Sequence, residues 1–194
     1  MSLILASGSS IRAAMLSAAG VEFEVDPARV DESAVKRAYR GDDRELATAL
    51  AEAKALETSH RRSADWVIGG DSLVSVGEQR FDKPTDRADA TDHLRFFSGK
   101  PMRLTSAVVL ACGGQVIWSH VSEAQLRVRS LSETFIHTYL DSEWPMVAAC
   151  VGVFRMEGRG INLFERIDGD HFTILGMPLL ALLGALRERG LMPS

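Results

Sequence analysis

The sequence predicts an α/β fold in which a mixed, twisted sheet carries helices on both faces. Strand-like and helix-like segments alternate along the 194 residues, as they do in sheets built from strand and helix units. A hydrophobic content of 46% is enough for a substantial core in a chain of this length. No repeat, low-complexity tract or sharp shift in composition marks a linker, so we expect a single domain over residues 1–194.

The first half of the chain supplies the start of this pattern. Residues 3–7 predict a buried strand, and residues 10–20 predict a helix that a glycine ends. The alternating "VEFEV" at 21–25 predicts a half-exposed strand. Apolar residues recur at helical spacing across 43–59, which predicts an amphipathic helix. The run "WVIGGDSLVSV" at 66–76 predicts two strands separated by a glycine break.

The second half of the chain continues the alternation of predicted strands and helices. Residues 85–97 predict another amphipathic helix, and 103–128 predict two long strands joined by a Gly-Gly turn. "SETFIHTYL" at 132–140 begins with a capping pattern and predicts a helix. Residues 176–190 carry a proline near the start and a glycine past the end of an apolar helical stretch, so the chain is expected to close on a packed helix.

Composition limits the classes of partner. A net charge of −4 without a basic run argues against binding to a nucleic acid polymer. The longest apolar stretch is too short to span a bilayer, and the early entry into the fold leaves no room for a signal peptide, so we expect no membrane contact. Cys112 and Cys150 lie far apart and form no C-x-x-C pair. They predict reduced core thiols and a cytoplasmic location.

The stretch "LASGSSIR" places small polar residues before a helix with an arginine in its first turn. Arg12 has the wrong sign for the positive end of a helix dipole. We interpret Ser7, Gly8, Ser9 and Arg12 as converging, with the open backbone N–H groups, on an anion such as phosphate. The alternative is a capped helix with a surface arginine.

Carboxylates stand at two predicted strand ends. Asp71 follows Gly69 and Gly70, which we interpret as making room for a ligand. The alternative is that Asp71 only ends a strand. Asp31 and Glu32 adjoin in "VDES", where paired carboxylates suit a divalent cation. A solvated turn is an equal alternative for this pair.

Two lysines complete the set. Lys54 lies in the alanine-rich "AEAKAL", where an ordinary exposed residue is the alternative. Lys83 precedes Pro84, which favours an extended backbone that aims the ammonium group into a cleft. Hydrolysis of a nucleotide phosphate needs such cations to neutralise charge, a carboxylate to activate water and a metal to orient both.

Seven fragments give the chain a specific resemblance. In order, they read "LASGSSIR", "VDE", "AEAKA", "GGDSLV", "FDKP", "FSGKPMRLTSAV" and "EGRGINLFERIDGDHFTILGMPL". Together they resemble the Maf family of nucleoside triphosphate pyrophosphatases over essentially the whole chain. The resemblance implies two lobes around a central cleft, as in inosine triphosphatases. It also implies hydrolysis between the α and β phosphates with Mg²⁺ or Mn²⁺, and an association with arrest of cell division and septum formation.

The resemblance also assigns roles to residues by position. It implies that Asp71 accepts the proton of water, and that Glu32 and Asp71 bind the metal. The residues that it implies for binding the substrate are Ser7, Ser9, Arg12, Lys54, Ser72, Lys83 and Glu157.

Several positions depart from the usual pattern of the family. Ser10 and Ile11 replace a proline and a basic or aromatic residue, Ser72 replaces threonine or glutamine, and Met102 stands in the place of a histidine. Ile11 cannot stack on a base as an aromatic ring would.

Glu157 bears on which base is selected. It matches the glutamate of the branch that resembles 7-methyl-GTP pyrophosphatase, where the branch acting on dTTP and UTP has glutamine. A carboxylate accepts hydrogen bonds from the N1–H and N2 amine of guanine. The base stays open at this point, with a purine or modified purine favoured, and the alternative for Glu157 is a loop acid beside Arg155 and Arg159.

Other functions remain open from the sequence. A non-catalytic nucleotide-binding regulator of cell division would use the same cleft, although binding alone needs no base such as Asp71. Pyrophosphatases of the inosine-triphosphate type and of the dTTP and UTP type would share the reaction and differ in the base pocket. A homodimer is an open expectation for the oligomeric state.

Overall fold

A computed structural model describes residues 1–193, and these form the α/β fold that the sequence predicts. The strands are β1 Leu3–Leu5, β2 Glu24–Val25, β3 Trp66–Val76, β4 Gln79–Phe81, β5 Pro101–Cys112, β6 Gln115–Val128 and β7 Phe164–Asp168. The α-helices are α1 Ser10–Ala18, α2 Glu32–Ala38, α3 Asp43–Arg61, α4 Arg87–Phe97, α5 Glu133–Glu143, α6 His171–Ile174 and α7 Leu179–Glu188. Short 3₁₀ turns cover Met146–Ala149 and Arg159–Leu163.

The chain divides into two compact units. The first unit contains Met1–Ser72, Thr105–Ser122 and the residues from His171 onward. The second unit contains Leu73–Leu104 and Glu123–Asp170.

The sheet is mixed, as expected, with the order β2-β1-β3-β5-β6-β7 and with β4 paired to β3. In the first unit, β1 pairs in parallel with both β2 and β3, and Ile4 lies opposite Glu24 on one side and Val67 on the other. In the second unit, β4 runs antiparallel to the end of β3, and β7 runs antiparallel to the end of β6.

Each unit has its own apolar packing. In the first, a buried cluster joins β1, α1 and α7 and includes Leu5, Leu16, Ile68 and Leu182. In the second, the Phe81 ring meets the Phe97 ring edge-on, with 4.7 Å between centroids. No helix within residues 1–193 is long and apolar enough to cross a membrane.

Several elements confirm the sequence predictions. Gly113 and Gly114 have φ angles of 59° and 73° and join β5 to β6 in the predicted hairpin. The Ser132 side chain caps α5, accepting the N–H of Phe135, and Pro178 directly precedes α7.

Other expectations were wrong. Strand β3 runs unbroken through Gly69 and Gly70, so there is no glycine break. Of "VEFEV", only Glu24–Val25 is strand, and both residues are exposed. Both cysteines are free, as expected, but they are half-buried and not core residues.

Candidate active site

Arg12 is held in a fixed position within the first unit. Ser9 caps α1 by accepting the backbone N–H of Arg12, as its place before the helix predicts. The guanidinium group donates from Nη1 to Ser7 Oγ at 3.2 Å, from Nη2 to Ser72 Oγ at 3.0 Å and from Nε to the Gly176 carbonyl at 2.8 Å. Arg12 is therefore not a surface arginine, and the alternative drawn from the sequence is wrong.

Arg12 is a half-buried cation with two acidic side chains nearby. Burial lowers the pKa of the Arg12 guanidinium, and the nearby Asp71 and Glu32 carboxylates act in the opposite direction. An arginine starts so far above neutrality that it remains charged. The site therefore offers a permanent positive charge to an anion.

Hydroxyl groups and backbone carbonyls form a hydrogen-bonded network next to the Arg12 guanidinium group. Ser72 Oγ donates to the Gly176 carbonyl at 3.0 Å and lies 2.9 Å from Ser106 Oγ. The fully buried Ser106 hydroxyl in turn donates to the Thr173 carbonyl at 2.9 Å. Gly176 has a φ of +103°, and a Cβ atom there would lie 3.1 Å from Ser72 Oγ. This position therefore requires glycine.

Lys54 joins two carboxylates in the same unit. Its Nζ lies 2.6 Å from Asp71 Oδ1 and 2.7 Å from Glu32 Oε1. The side chains of Lys54 and Asp71 are only 13% and 8% exposed. The alternative of an ordinary exposed lysine is therefore wrong.

The close packing of α3 on β3 brings Lys54 to Asp71. A Cβ atom at Gly69 would lie 2.3 Å from the Ala51 carbonyl oxygen and 2.8 Å from Ala55 Cβ. Gly69 thus makes room for the backbone of α3, and the expectation that it makes room for a ligand was wrong. Without this contact the lysine and the aspartate would lie farther apart.

Neighbouring residues of β3 lie on opposite faces of the sheet. Because successive side chains point to opposite faces, Asp71 shares the face of Gly69, which packs on α3. Gly70 and Ser72 share the other face, where a Cβ atom at Gly70 would lie 3.4 Å from Arg12 Nε. One short segment therefore contacts Lys54 on one side and Arg12 on the other.

Asp31 and Glu32 start a helix and do not follow directly from a strand. Asp31 caps α2, and its Oδ1 accepts the N–H of Ala34 at 3.0 Å. Glu32 is the first residue of α2 and reaches Lys54. The solvated turn is therefore wrong for Glu32, while Asp31 remains an exposed cap.

The remaining candidates lie in the second unit. Lys83 is exposed between β4 and α4, and Glu157 is exposed just before the Arg159–Leu163 turn. The charges of Lys83 and Glu157 both affect the pKa of the Cys150 thiol. Burial and Glu157 raise this pKa, and Arg155 and Lys83 lower it. Lys83 and Glu157 therefore lie within electrostatic reach of one side chain.

Two of the departures from the family pattern are packed positions. Ile11 packs against the apolar cluster of the first unit, and Met102 is 1% exposed.

The donor set for a metal consists of two carboxylates. Glu32 and Asp71 place oxygen atoms around one cationic group, and carboxylate oxygens are ligands that Mg²⁺ and Mn²⁺ prefer. Residues 1–193 contain no group of three or more His, Cys, Asp and Glu side chains able to hold a metal ion. The remaining ligands of a bound ion would have to come from substrate and water.

Sequence reasoning gave no role to three groups in this site. These are the Ser106 hydroxyl and the carbonyls of Thr173 and Gly176. A serine inside the apolar run of β5 was the available signal, because a buried hydroxyl must find a hydrogen-bond partner. The two carbonyls carried no signal of their own in the sequence.

Residues 2–189 match the family described as Maf-like protein. The chain belongs to this family. It is 46% identical over 193 residues to a "7-methyl-GTP pyrophosphatase" of Rhizobium etli, covering 97% of this chain and 96% of the relative. It is also 46% identical to a "Nucleoside triphosphate pyrophosphatase" of Sphingopyxis alaskensis, covering 100% of both chains.

Among solved structures, the nucleoside-triphosphatase or dITP/XTP pyrophosphatase of Mycobacterium abscessus superposes with a TM-score of 0.45 at 14% identity. The superposition covers 100% of this chain and 98% of that chain.

Proposed function

We propose that this Maf family member is a hydrolase that converts a nucleoside triphosphate to the monophosphate and pyrophosphate. The observation that carries the proposal is the Lys54 ammonium group held between Asp71 and Glu32, in the same unit as the half-buried, hydrogen-bonded Arg12. Cations beside a carboxylate base suit phosphoryl chemistry. The names of the relatives from Rhizobium and Sphingopyxis support the same reaction.

The cations have donors left for phosphate oxygens. A lysine ammonium group has three N–H donors, and Glu32 and Asp71 account for two of those on Lys54. A guanidinium group has five, of which Ser7, Ser72 and Gly176 accept three from Arg12. In the proposal, the remaining donors bind the triphosphate, with help from Ser7 and Ser9. Lys83 is proposed to bind a phosphate group, as the family resemblance implies.

Asp71 is the proposed base. Lys54 donates a hydrogen bond to its Oδ1, and Oδ2 is the oxygen that we assign to proton transfer. Oδ2 takes a proton from water, and the water oxygen attacks the α phosphorus. The bond from that phosphorus to the bridging oxygen breaks, and pyrophosphate leaves with the electron pair.

A divalent cation fits the two carboxylates. Glu32 and Asp71 would hold Mg²⁺ or Mn²⁺, and their contacts with Lys54 keep both carboxylates in place. When bound, such an ion supplies charge stabilisation and orientation of the phosphate oxygens.

Base selection is assigned to Glu157 in this proposal. Its carboxylate accepts from the N1–H and N2 amine of a guanine-like base, which favours purines and 7-methyl-GTP over pyrimidines. The name of the Rhizobium etli relative, 7-methyl-GTP pyrophosphatase, supports this substrate. The proposal also includes a cytoplasmic location, a link to septum formation and a homodimer, which rest on the family resemblance and composition.

A panel of nucleotides tests the proposal. The purified protein is incubated with Mg²⁺ and each of GTP, 7-methyl-GTP, ITP, dTTP and UTP, and released pyrophosphate is measured. We expect release, fastest with a guanine-type base. Binding without release from any nucleotide would favour the regulator, and a preference for ITP or for dTTP and UTP would favour those pyrophosphatase types.

A further inference from the structure

The end of helix α5 holds the loop that carries Glu157. Glu143, the last residue of α5, has a side chain that is only 8% exposed. Its Oε1 accepts the backbone N–H of Arg159 at 3.2 Å, and its Oε2 lies 3.4 Å from Arg155 Nε. In the sequence, Glu157 lies midway between Arg155 and Arg159. The buried Glu143 carboxylate therefore contacts the turn on both sides of Glu157.

Gly158 allows the loop to close around this carboxylate. A Cβ atom there would lie 2.9 Å from Glu143 Oε2 and 3.0 Å from Arg155 Nη2. The turn is therefore wrapped directly on the ion pair. Glu143 Oε2 and Arg155 Nε are both buried without a hydrogen-bond partner, so opposite charge holds this side of the contact.

A second contact from α5 lies one helical turn earlier. The buried Tyr139 hydroxyl donates to the Val153 carbonyl at 2.9 Å. Val153 is fully buried and has a φ of 58°, a left-handed conformation that is strained for a β-branched residue. Such strain persists only where surrounding contacts impose it. Tyr139 and Glu143 thus fix the segment from 153 to 159 at both of its ends.

We infer that Glu143 is a positioning residue for base selection, acting through Glu157. The inference rests on the proposed function, in which Glu157 contacts the base. A fixed turn holds the Glu157 carboxylate in one orientation. Selection between bases requires this, because the two acceptor oxygens must be placed to within a fraction of an ångström of the donors of the base. Arg12 and Lys54, which the proposed function assigns to the triphosphate, belong to the first unit, whereas α5 belongs to the second.

The test compares base selectivity, defined as the ratio of kcat/KM for the best and the worst nucleoside triphosphate. Glu143→Gln sets an amide donor against the Arg155 N–H donor and should lower this ratio by about tenfold. Tyr139→Phe removes only the hydroxyl contact to Val153 and should lower it in the same direction. Asp141→Asn, an exposed carboxylate on the same helix, is the matched control and should leave the ratio unchanged.

Glu157→Gln and the double variant Glu143→Gln/Glu157→Gln show whether Glu143 acts through Glu157. Glu157→Gln should lower the ratio by roughly ten- to a hundredfold, and adding Glu143→Gln should lower it no further. In Glu143→Gln and Tyr139→Phe, kcat/KM for the worst base should stay within about twofold of the wild type, because neither side chain binds the triphosphate in the proposal.

The outcomes separate the inference from the proposed function. Unchanged selectivity in Glu143→Gln, or additive losses in the double variant, would overturn the inference while pyrophosphate release still supported the enzyme. If Glu143→Gln does not fold, unchanged selectivity in Tyr139→Phe overturns it. No pyrophosphate release by the wild type from any nucleotide would contradict the proposed function itself.

Discussion

Gly69 and Ala51 mark the place where β3 touches α3, since a Cβ atom at Gly69 would lie 2.3 Å from the Ala51 carbonyl oxygen. Rotation of a side chain cannot relieve this clash, because the Ala51 oxygen belongs to the backbone. Gly69→Ala should therefore push α3 away and lower the free energy of unfolding by about 1–3 kcal/mol. It should also reduce turnover, because Lys54 moves with the helix.

Urea unfolding of Gly69→Ala measures this effect, with Gly184→Ala as the control. Gly184 lies inside α7, and a Cβ atom there would meet nothing within 4 Å. Alanine should add about 0.5–1 kcal/mol at such a helical site. Equal stability changes in the two variants would contradict the packing of α3 on β3.

Asp71→Asn tests the proposed base. The amide cannot take a proton from water, so turnover should fall by roughly a hundredfold or more, while nucleotide affinity measured without a divalent metal stays close to that of the wild type. Steady-state kinetics and equilibrium binding of a nucleotide measure the two effects. Asp92→Asn, an exposed acid paired with Arg95, should change neither. Unchanged turnover in Asp71→Asn would remove Asp71 from the mechanism.

Metal removal tests the role of the carboxylates. Activity should vanish in a chelator and return with Mg²⁺ or Mn²⁺, because the triphosphate supplies oxygen ligands and Glu32 and Asp71 supply the others. Glu32→Gln should raise the Mg²⁺ concentration that gives half-maximal activity. Full activity in the chelator would show that Glu32 only pairs with Lys54.

The Cys150 thiol reports on Lys83 and Glu157. Burial and Glu157 raise its pKa, and Lys83 lowers it. The thiolate is the form that reacts, so a lower pKa means faster alkylation at a fixed pH. Glu157→Gln should therefore speed the alkylation of Cys150 by iodoacetamide at pH 8, and Lys83→Met should slow it.

Mass spectrometry of the modified peptides gives both rates, and Cys112 in the first unit is the internal control. Its rate should be the same in the two variants and the wild type. Shifts of equal sign at Cys150 in both variants would contradict the placement of Lys83 and Glu157 around it.

Local signals in the sequence were enough for much of the fold. The Gly113–Gly114 pair predicted the hairpin, because two positive φ angles suit that turn. The same reasoning misread Gly69, because a glycine that accommodates a neighbouring helix cannot be distinguished from a turn glycine without tertiary context. The helix at Glu32 was missed since its seven residues bury no side chain and give no apolar period.

The site was predictable only in part. Arg12, Lys54 and Asp71 were selected from their positions and from the family resemblance, and the structure brings them into one unit. Ser106 and Glu143 were missed because their contacts depend on burial of the side chain, which the sequence around them does not reveal. Nothing in the sequence around an acid at a helix end shows that the loop 155–159 will fold over it.

The identity of the products shows which phosphorus atom of the nucleotide water attacks. Wild-type protein is incubated with GTP and Mg²⁺ in ¹⁸O-labelled water, and the products are followed by ³¹P NMR. We expect equal amounts of GMP and pyrophosphate, with the label on GMP because water attacks the α phosphorus. Release of GDP and orthophosphate, or label on pyrophosphate, would contradict it.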